Sequence, residues 1–265
     1  NTPDPKFFFL SRQHQEALSR LVYAAQARRG FVLLTGEIGS GKTTLCRALM
    51  NRLRLTTEVA LVTNANITSK ELISSIAEEL GVSTRRKSKG AILRELNRFL
   101  IEQLSLDRNV LVILDEAQNL RGGVLEEVRM LSNLETAQEK LVQIFLVGQP
   151  ELREKLNQPE LKQLRQRIAL RYHVLPLDGD ECRNYITHRL NVAEAERVPQ
   201  FSAAALEKIF RYSQGVPRLV NTVCDNALIV GFTRGTLSID GDIIEEVIAD
   251  LEGSCPPSDE EALRL

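Results

Sequence analysis

Eight residues constrain this chain more than any others. Gly36-Glu37-Ile38-Gly39-Ser40-Gly41-Lys42-Thr43 fits GxxxxGK[ST] at every fixed position. An apolar run over residues 31–34 precedes it, and helical periodicity over 42–53 follows. That strand, turn and helix is the setting in which the pattern binds phosphate. Glycines let backbone amides turn inward around phosphate oxygens. The helix N-terminus adds a positive dipole end. Lys42 is expected to reach the β- and γ-phosphates of ATP, and Thr43 to offer its hydroxyl to Mg²⁺. Gly36, Glu37, Ile38, Gly39, Ser40, Gly41 and Thr44 complete the expected phosphate cradle.

Hydrophobic periodicity extends the pattern on both sides. Strands are predicted at 31–34, 59–62, 110–114, 141–147 and, shorter, 169–174. Ser11 can cap a first helix whose apolar positions include Ala17, Leu18, Leu21 and Val22. Further helices are predicted at 42–53, 69–80, 91–104 and 125–134. Alternating strands and helices imply an α/β fold: a parallel five-stranded sheet flanked by helices. After Pro176 only helical periodicity remains, at about 180–192, 202–212, 217–232 and 240–251. The expected division is an α/β nucleotide-binding subdomain over 1–175, a small all-helical subdomain over 176–252, and a flexible tail or linker over 253–265.

A second chemical element sits at the end of the most apolar strand. Val110-Leu111-Val112-Ile113-Leu114 runs into Asp115-Glu116. Ligands of parallel sheets bind at the carboxyl ends of the strands. Asp115 is expected to hold Mg²⁺ through water, and Glu116 to orient and polarise the attacking water.

Composition removes other classes. Lys+Arg is 34 against 35 Asp+Glu, a formal charge of −1, so nucleic acid would need a local patch rather than a global field. Trp is absent and aromatics are 5%, which weakens a base-stacking reading. Cys46, Cys182, Cys224 and Cys255 lie far apart and His14, His173 and His188 form no ligand cluster, which points to reduced structural thiols rather than a metal site. No run of about 18 apolar residues could span a membrane. The chain begins at Asn1 without a signal pattern and reads as a piece of a longer protein.

Beyond these two motifs the order of elements resembles an AAA+ ATPase. Gly215-Val216-Pro217-Arg218 resembles the sensor 2 motif, which implies that Arg218 reaches the γ-phosphate from a helical lid. Gln149, in Gly148-Gln149-Pro150, takes the place of the polar sensor 1 residue. Asn64 takes the place of a residue that restrains the catalytic glutamate in related enzymes. Residues 161–172 carry Lys162, Arg165, Arg167 and Arg171 with no acid among them. This is either a solvated helix face or the arginine finger that enters a neighbouring subunit. Arg167 matches the finger best and Arg165 second, and a finger in trans implies a homo-oligomer.

Longer words narrow the resemblance. Pro3-Asp4-Pro5, Phe8-Phe9-Leu10-Ser11, Phe31-Val32-Leu33-Leu34-Thr35-Gly36-Glu37, Asp115-Glu116-Ala117-Gln118-Asn119-Leu120, Leu131-Ser132-Asn133-Leu134-Glu135-Thr136, Val147-Gly148-Gln149-Pro150-Glu151-Leu152 and Leu164-Arg165-Gln166-Arg167-Ile168 are similar to the general secretion pathway protein A group. The resemblance implies a cytoplasmic ATPase domain, held at the inner membrane through a segment outside this chain, that helps build a secretin or a related pilus or export system. It also implies that Phe8, Leu10 and His14 lie near the adenine, although core packing explains the phenylalanines equally well. Two other functions stay open. One is a DNA-loaded regulator of transposition or replication type, served by Arg85-Arg86-Lys87 and Lys89 and by the arginines after Leu161. The other is a nucleotide-binding scaffold with negligible turnover.

Overall fold

A computed structural model describes residues 7, 9–64, 66–136, 139–193 and 198–253. It divides into two compact units. One takes Arg12–Glu37 and Gly41–Leu175, the other Asn1–Ser11, Ile38–Ser40 and Pro176–Leu265. The units differ from the division expected at residue 175 in two segments, since 1–11 and 38–40 group with the C-terminal unit.

The first unit begins with helix α1 (Arg12–Gln26). It continues through strand β1 (Phe31–Gly36), helix α2 (Lys42–Leu53), β2 (Thr57–Val62), α3 (Ser69–Glu79), α4 (Lys89–Ser105) and β3 (Asn109–Leu114). A 3₁₀ turn at Ala117–Asn119 leads to α5 (Gly122–Leu131), β4 (Gln143–Gly148), α6 (Glu151–Leu156), α7 (Lys162–Arg167) and β5 (Ile168–Val174). The five strands are parallel in the order β2-β3-β4-β1-β5. Every residue of β1 and β4 is buried, as expected of central strands covered on both faces. The apolar faces of α3 (Leu72, Ile73, Ile76) and α4 (Ile92, Leu96, Leu100) join the same core, α3 packing on β2 and α4 on β3. Thr68 and Glu71 form a capping box that starts α3, and Ser88 caps α4.

Register decides what meets at the carboxyl edge. Thr35 of β1 lies opposite Gly148 of β4, and Leu114 of β3 opposite Leu146 of β4. The loops after β1, β3 and β4 therefore leave the sheet side by side. A crevice of this kind lies where successive connections run to opposite sides of the sheet.

One reading of residues 161–172 is corrected here. They are not one helix face: α7 stops at Arg167, and Ile168 starts the edge strand β5 beside β1. The basic stretch over 85–88 is a loop that runs into α4. Lys89 opens α4, Lys87 pairs with Glu95, and Lys89 pairs with Glu127.

The second unit holds α8 (Gly179–Val192), α9 (Ala203–Ser213), α10 (Pro217–Thr233) and α11 (Gly241–Leu251). It is not wholly helical, because β6 (Gln200–Phe201) and β7 (Ser238–Ile239) form a short parallel ladder. Two-residue strands leave no alternation for a sequence pattern to show. Asp178 with Glu181 makes a capping box for α8, while Ser202 and Asp240 cap α9 and α11. Leu177, Ile186, Ile209, Val220 and Ile244 lie in its core. Phe9 packs edge-on against Tyr185 at 5.8 Å, and Arg189 lies over the Phe7 ring at 5.2 Å. Both phenylalanines thus pack within this unit, while Phe8 lies outside the described residues.

Gly215 fixes the approach to α10. Its φ is 74°, its carbonyl accepts a hydrogen bond from Leu177 N at 2.9 Å, and a Cβ there would fall 1.9 Å from Leu177 O. Gly215→Ala combines a left-handed backbone with a clash against main chain. It should destabilise the protein by at least about 2 kcal/mol. A denaturant melt followed by helical circular dichroism checks this, and a wild-type midpoint would contradict it.

Candidate functional site

The phosphate-loop pattern folds as the turn between β1 and α2. Gly39 and Gly41 take φ values of 80° and 90°, a left-handed conformation that costs glycine nothing. Gly41 occupies the N-cap of α2 and no side chain caps that end, so the first-turn amides face outward for an anion. A Cβ on Gly41 would come 2.9 Å from His14 Nε2. His14 of α1 is buried and so packs at the loop, while Leu10 is exposed.

Lys42 is buried, and its Nζ donates to the carbonyls of Gly36 and Glu37, both at 2.8 Å. Burial pulls its pKa below the usual lysine value, while Glu116, Asp115 and Glu37 act in the opposite direction. The ammonium is thus held inside its own loop by oxygens that a phosphate can replace.

Thr43 Oγ1 donates to Asp115 Oδ2 at 2.7 Å. Asp115 is buried, and its other oxygen accepts Glu116 N at 2.9 Å. One hydroxyl and one carboxylate, in contact at the end of the loop, suit a small hard cation that keeps several waters and takes further oxygens from phosphates. Among the described residues no group of three or more His, Cys, Asp or Glu forms another metal cluster. Thr44 is half-buried in the first turn of α2.

Glu116 has a left-handed backbone, φ 52°. Its Oε2 accepts Gln118 Nε2 at 2.6 Å and Gln149 Nε2 at 3.2 Å. Gln118 Oε1 in turn accepts Gln149 N at 3.1 Å, and Gln118 O accepts Lys155 Nζ at 2.7 Å. Gly148 makes room for this network: a Cβ there would fall 2.5 Å from Gln118 Oε1. Gln149 thus stands beside Glu116 at the end of β4. Asn64 does something else, since its Oδ1 accepts Asn66 N at 3.2 Å in a local turn after β2. The second group on Glu116 is Gln118, which sequence reading did not single out. Its signal was its place two residues after the glutamate.

Arg167 is half-buried and donates from Nη1 to Ser132 Oγ at 2.6 Å, at the C-cap of α5. Arg165 donates to Asn157 Oδ1 at 3.1 Å, and Arg171 to Arg165 O at 3.0 Å. Arg153, Arg165 and Arg171 line a pocket of about 70 Å³. Arg218 is exposed and is the second residue of α10, following Pro217 at the first position.

A model of the AAA domain matches residues 25–156, a span that holds the phosphate loop and both carboxylates. That span is an AAA domain. The chain is 44% identical over 91% of its length to general secretion pathway protein A of Aeromonas hydrophila, of which it spans 44%. An HTH-type transcriptional regulator of Methanocaldococcus jannaschii is 26% identical over 60% of this chain and is itself covered over 39%. The chain thus spans less than half the length of the curated relatives it matches. Among solved structures, the Aeropyrum pernix ORC2 protein in its ADPNP–ADP complexes aligns with a TM-score of 0.64 at 18% identity, over 94% of this chain and 72% of that one. The Thermotoga maritima RuvB branch migration motor aligns with a TM-score of 0.61 at 20% identity, over 91% and 69%. At such identities these likenesses show the fold alone: a P-loop AAA core with a helical C-terminal region.

One half-buried group was invisible in the pattern. His173 of β5 pairs through Nδ1 with Thr35 Oγ1 at 3.0 Å, next to the residue that opens the loop. Burial, and then Arg153, holds its pKa below the ordinary 6.5; Lys42 acts in the same direction and Glu37 against it. A base whose folded pKa lies below its unfolded value leaves the unfolded chain holding more protons as pH falls. Stability therefore drops as acid takes the pH through 6.5. His173→Gln should flatten the loss of melting temperature between about pH 7 and pH 5. An unchanged slope would contradict the assignment.

Proposed function

We propose that this AAA domain binds ATP with Mg²⁺, hydrolyses it, and drives assembly of a secretion apparatus in the cell envelope. The observation that carries the chemistry is the meeting of three loops at one sheet edge. There Thr43 touches Asp115, and Glu116 stands beside Gln149. The phosphate loop and Lys42 hold the phosphates, with Lys42 exchanging the carbonyls of Gly36 and Glu37 for phosphate oxygens. Thr43 and Asp115 hold Mg²⁺, which when bound offsets phosphate charge. Glu116 accepts the proton of the attacking water, and Gln149 orients that water against the γ-phosphate. Arg218 is the sensor 2 arginine of this reading.

Arg167 acts in trans as the finger, with Arg165 as the alternative, so the active form is a homo-oligomer. For Arg167 to serve, its bond to Ser132 must be given up in the assembly. Asn64 acts at most indirectly, through its turn beside β2.

The envelope role is supported by the 44% identity to general secretion pathway protein A. Secretin assembly in type II secretion is the specific form of that reading, with pilus or export systems as related forms. No helix among the described residues is long and apolar enough to cross a membrane. Attachment to the cytoplasmic face of the inner membrane would come through a segment outside this chain. A DNA-loaded regulator is less favoured, because Lys87 and Lys89 of the basic stretch are spent in ion pairs.

Two variants test the chemistry. Lys42→Ala should lower ATP affinity by roughly 100-fold, the scale of losing charge-assisted hydrogen bonds. Glu116→Gln should bind ATP as the parent does, lose turnover, and accumulate as an ATP-locked oligomer in size-exclusion chromatography. Parental turnover in Glu116→Gln would remove Glu116 from the mechanism.

A further inference from the structure

With Glu116 as the residue that polarises water, as proposed above, we infer that Gln118 is a positioning residue that restrains Glu116 and ties its release to the arginine segment on α7. Gln118 lies in the 3₁₀ turn directly after the glutamate. Its carboxamide is used at both ends. The Nε2 group donates to Glu116 Oε2 at 2.6 Å, and Oε1 accepts Gln149 N at 3.1 Å. Gln149 Nε2 reaches the same carboxylate oxygen at 3.2 Å. The Glu116 amide is already tied to Asp115, so the side chain alone decides where the carboxylate lies. Two N–H groups on one oxygen fix that side chain and take up lone pairs that would otherwise accept from water.

The other side of Gln118 leads away from the nucleotide. Its main-chain carbonyl accepts Lys155 Nζ at 2.7 Å, and Lys155 stands on α6. The C-cap of that same short helix is Asn157, whose Oδ1 accepts Arg165 Nη1 at 3.1 Å. One helix of six residues thus holds the restraint on Glu116 through Lys155 and the arginine segment through Asn157. Gly148 leaves no space beside Gln118, so a shift of α6 or of the end of β4 is transmitted rather than absorbed. A second copy of this chain that draws Arg165 toward itself pulls on the helix that anchors Gln118. Glu116 is then released only in the assembled form.

The test follows ATP turnover per protomer over a range of protein concentrations, using the full chain. Gln118→Leu keeps bulk and removes both carboxamide contacts; Lys155→Met leaves Gln118 intact and removes its anchor. At concentrations where the parent is monomeric, kcat should rise about 3- to 10-fold in Gln118→Leu, with KM and ATP affinity unchanged. The rise of turnover with concentration should shrink by the same factor. Lys155→Met should move both quantities in the same direction. A fall in kcat, or an unchanged kcat with the parental concentration dependence, would overturn the restraint. If Gln118→Leu melts early, Lys155→Met decides alone. Failure of the Glu116 assignment itself looks different: Glu116→Gln would then turn over ATP like the parent.

Discussion

The parallel register of β3, β4 and β1 is the constraint on which the rest depends. Leu114 opposite Leu146, and Thr35 opposite Gly148, bring three loops to one edge without any of them being long. The carboxylate pair lies 33 residues from Gln149 and 72 from Thr43 of the phosphate loop, counted between bonded residues, yet their polar atoms lie within hydrogen-bond reach. A one-residue slip in this sheet would turn the buried faces of β1 and β4 toward the wrong layer. The apolar packing that fixes the register therefore also fixes the chemistry.

Charge placement follows from that packing. Lys42, Asp115 and Thr35 are all buried at the edge, and each is satisfied by a neighbour that the register supplies. Burial lowers the pKa of Lys42, while the carboxylates of Glu116 and Asp115 act in the opposite direction. Glu116 is treated differently. It is half-exposed, with a left-handed backbone and two amides on one oxygen. The buried residues make a rigid seat, while the group that acts on water is held by contacts that can be exchanged.

Much of this was legible in the sequence, because the relevant signals are local. The glycines at 39 and 41 need positive φ, the run 110–114 needs burial, and the caps at Ser202 and Asp240 mark helix starts. What was not legible depended on contacts between distant segments. The Thr35–His173 pair requires β5 to lie beside β1, and nothing in either segment announces it. Gln118 escaped notice because a glutamine in a short turn has no pattern of its own; its meaning comes from Gln149 and Lys155, more than 30 residues later. The strand over 169–174 was legible, but the end of α7 at Arg167 was not, because Lys162, Arg165, Arg167 and Arg171 run through helix and strand as one basic stretch.

The central claim is that the Thr43–Asp115 pair is half of an ATP and Mg²⁺ site. The most direct measurement titrates ATP into the parent and into Asp115→Asn by calorimetry, each with Mg²⁺ and with a chelator. The account predicts that Mg²⁺ tightens ATP binding in the parent, and that Asp115→Asn retains the metal-free affinity while losing most of that gain. An equal Mg²⁺-dependent gain in both proteins would contradict it.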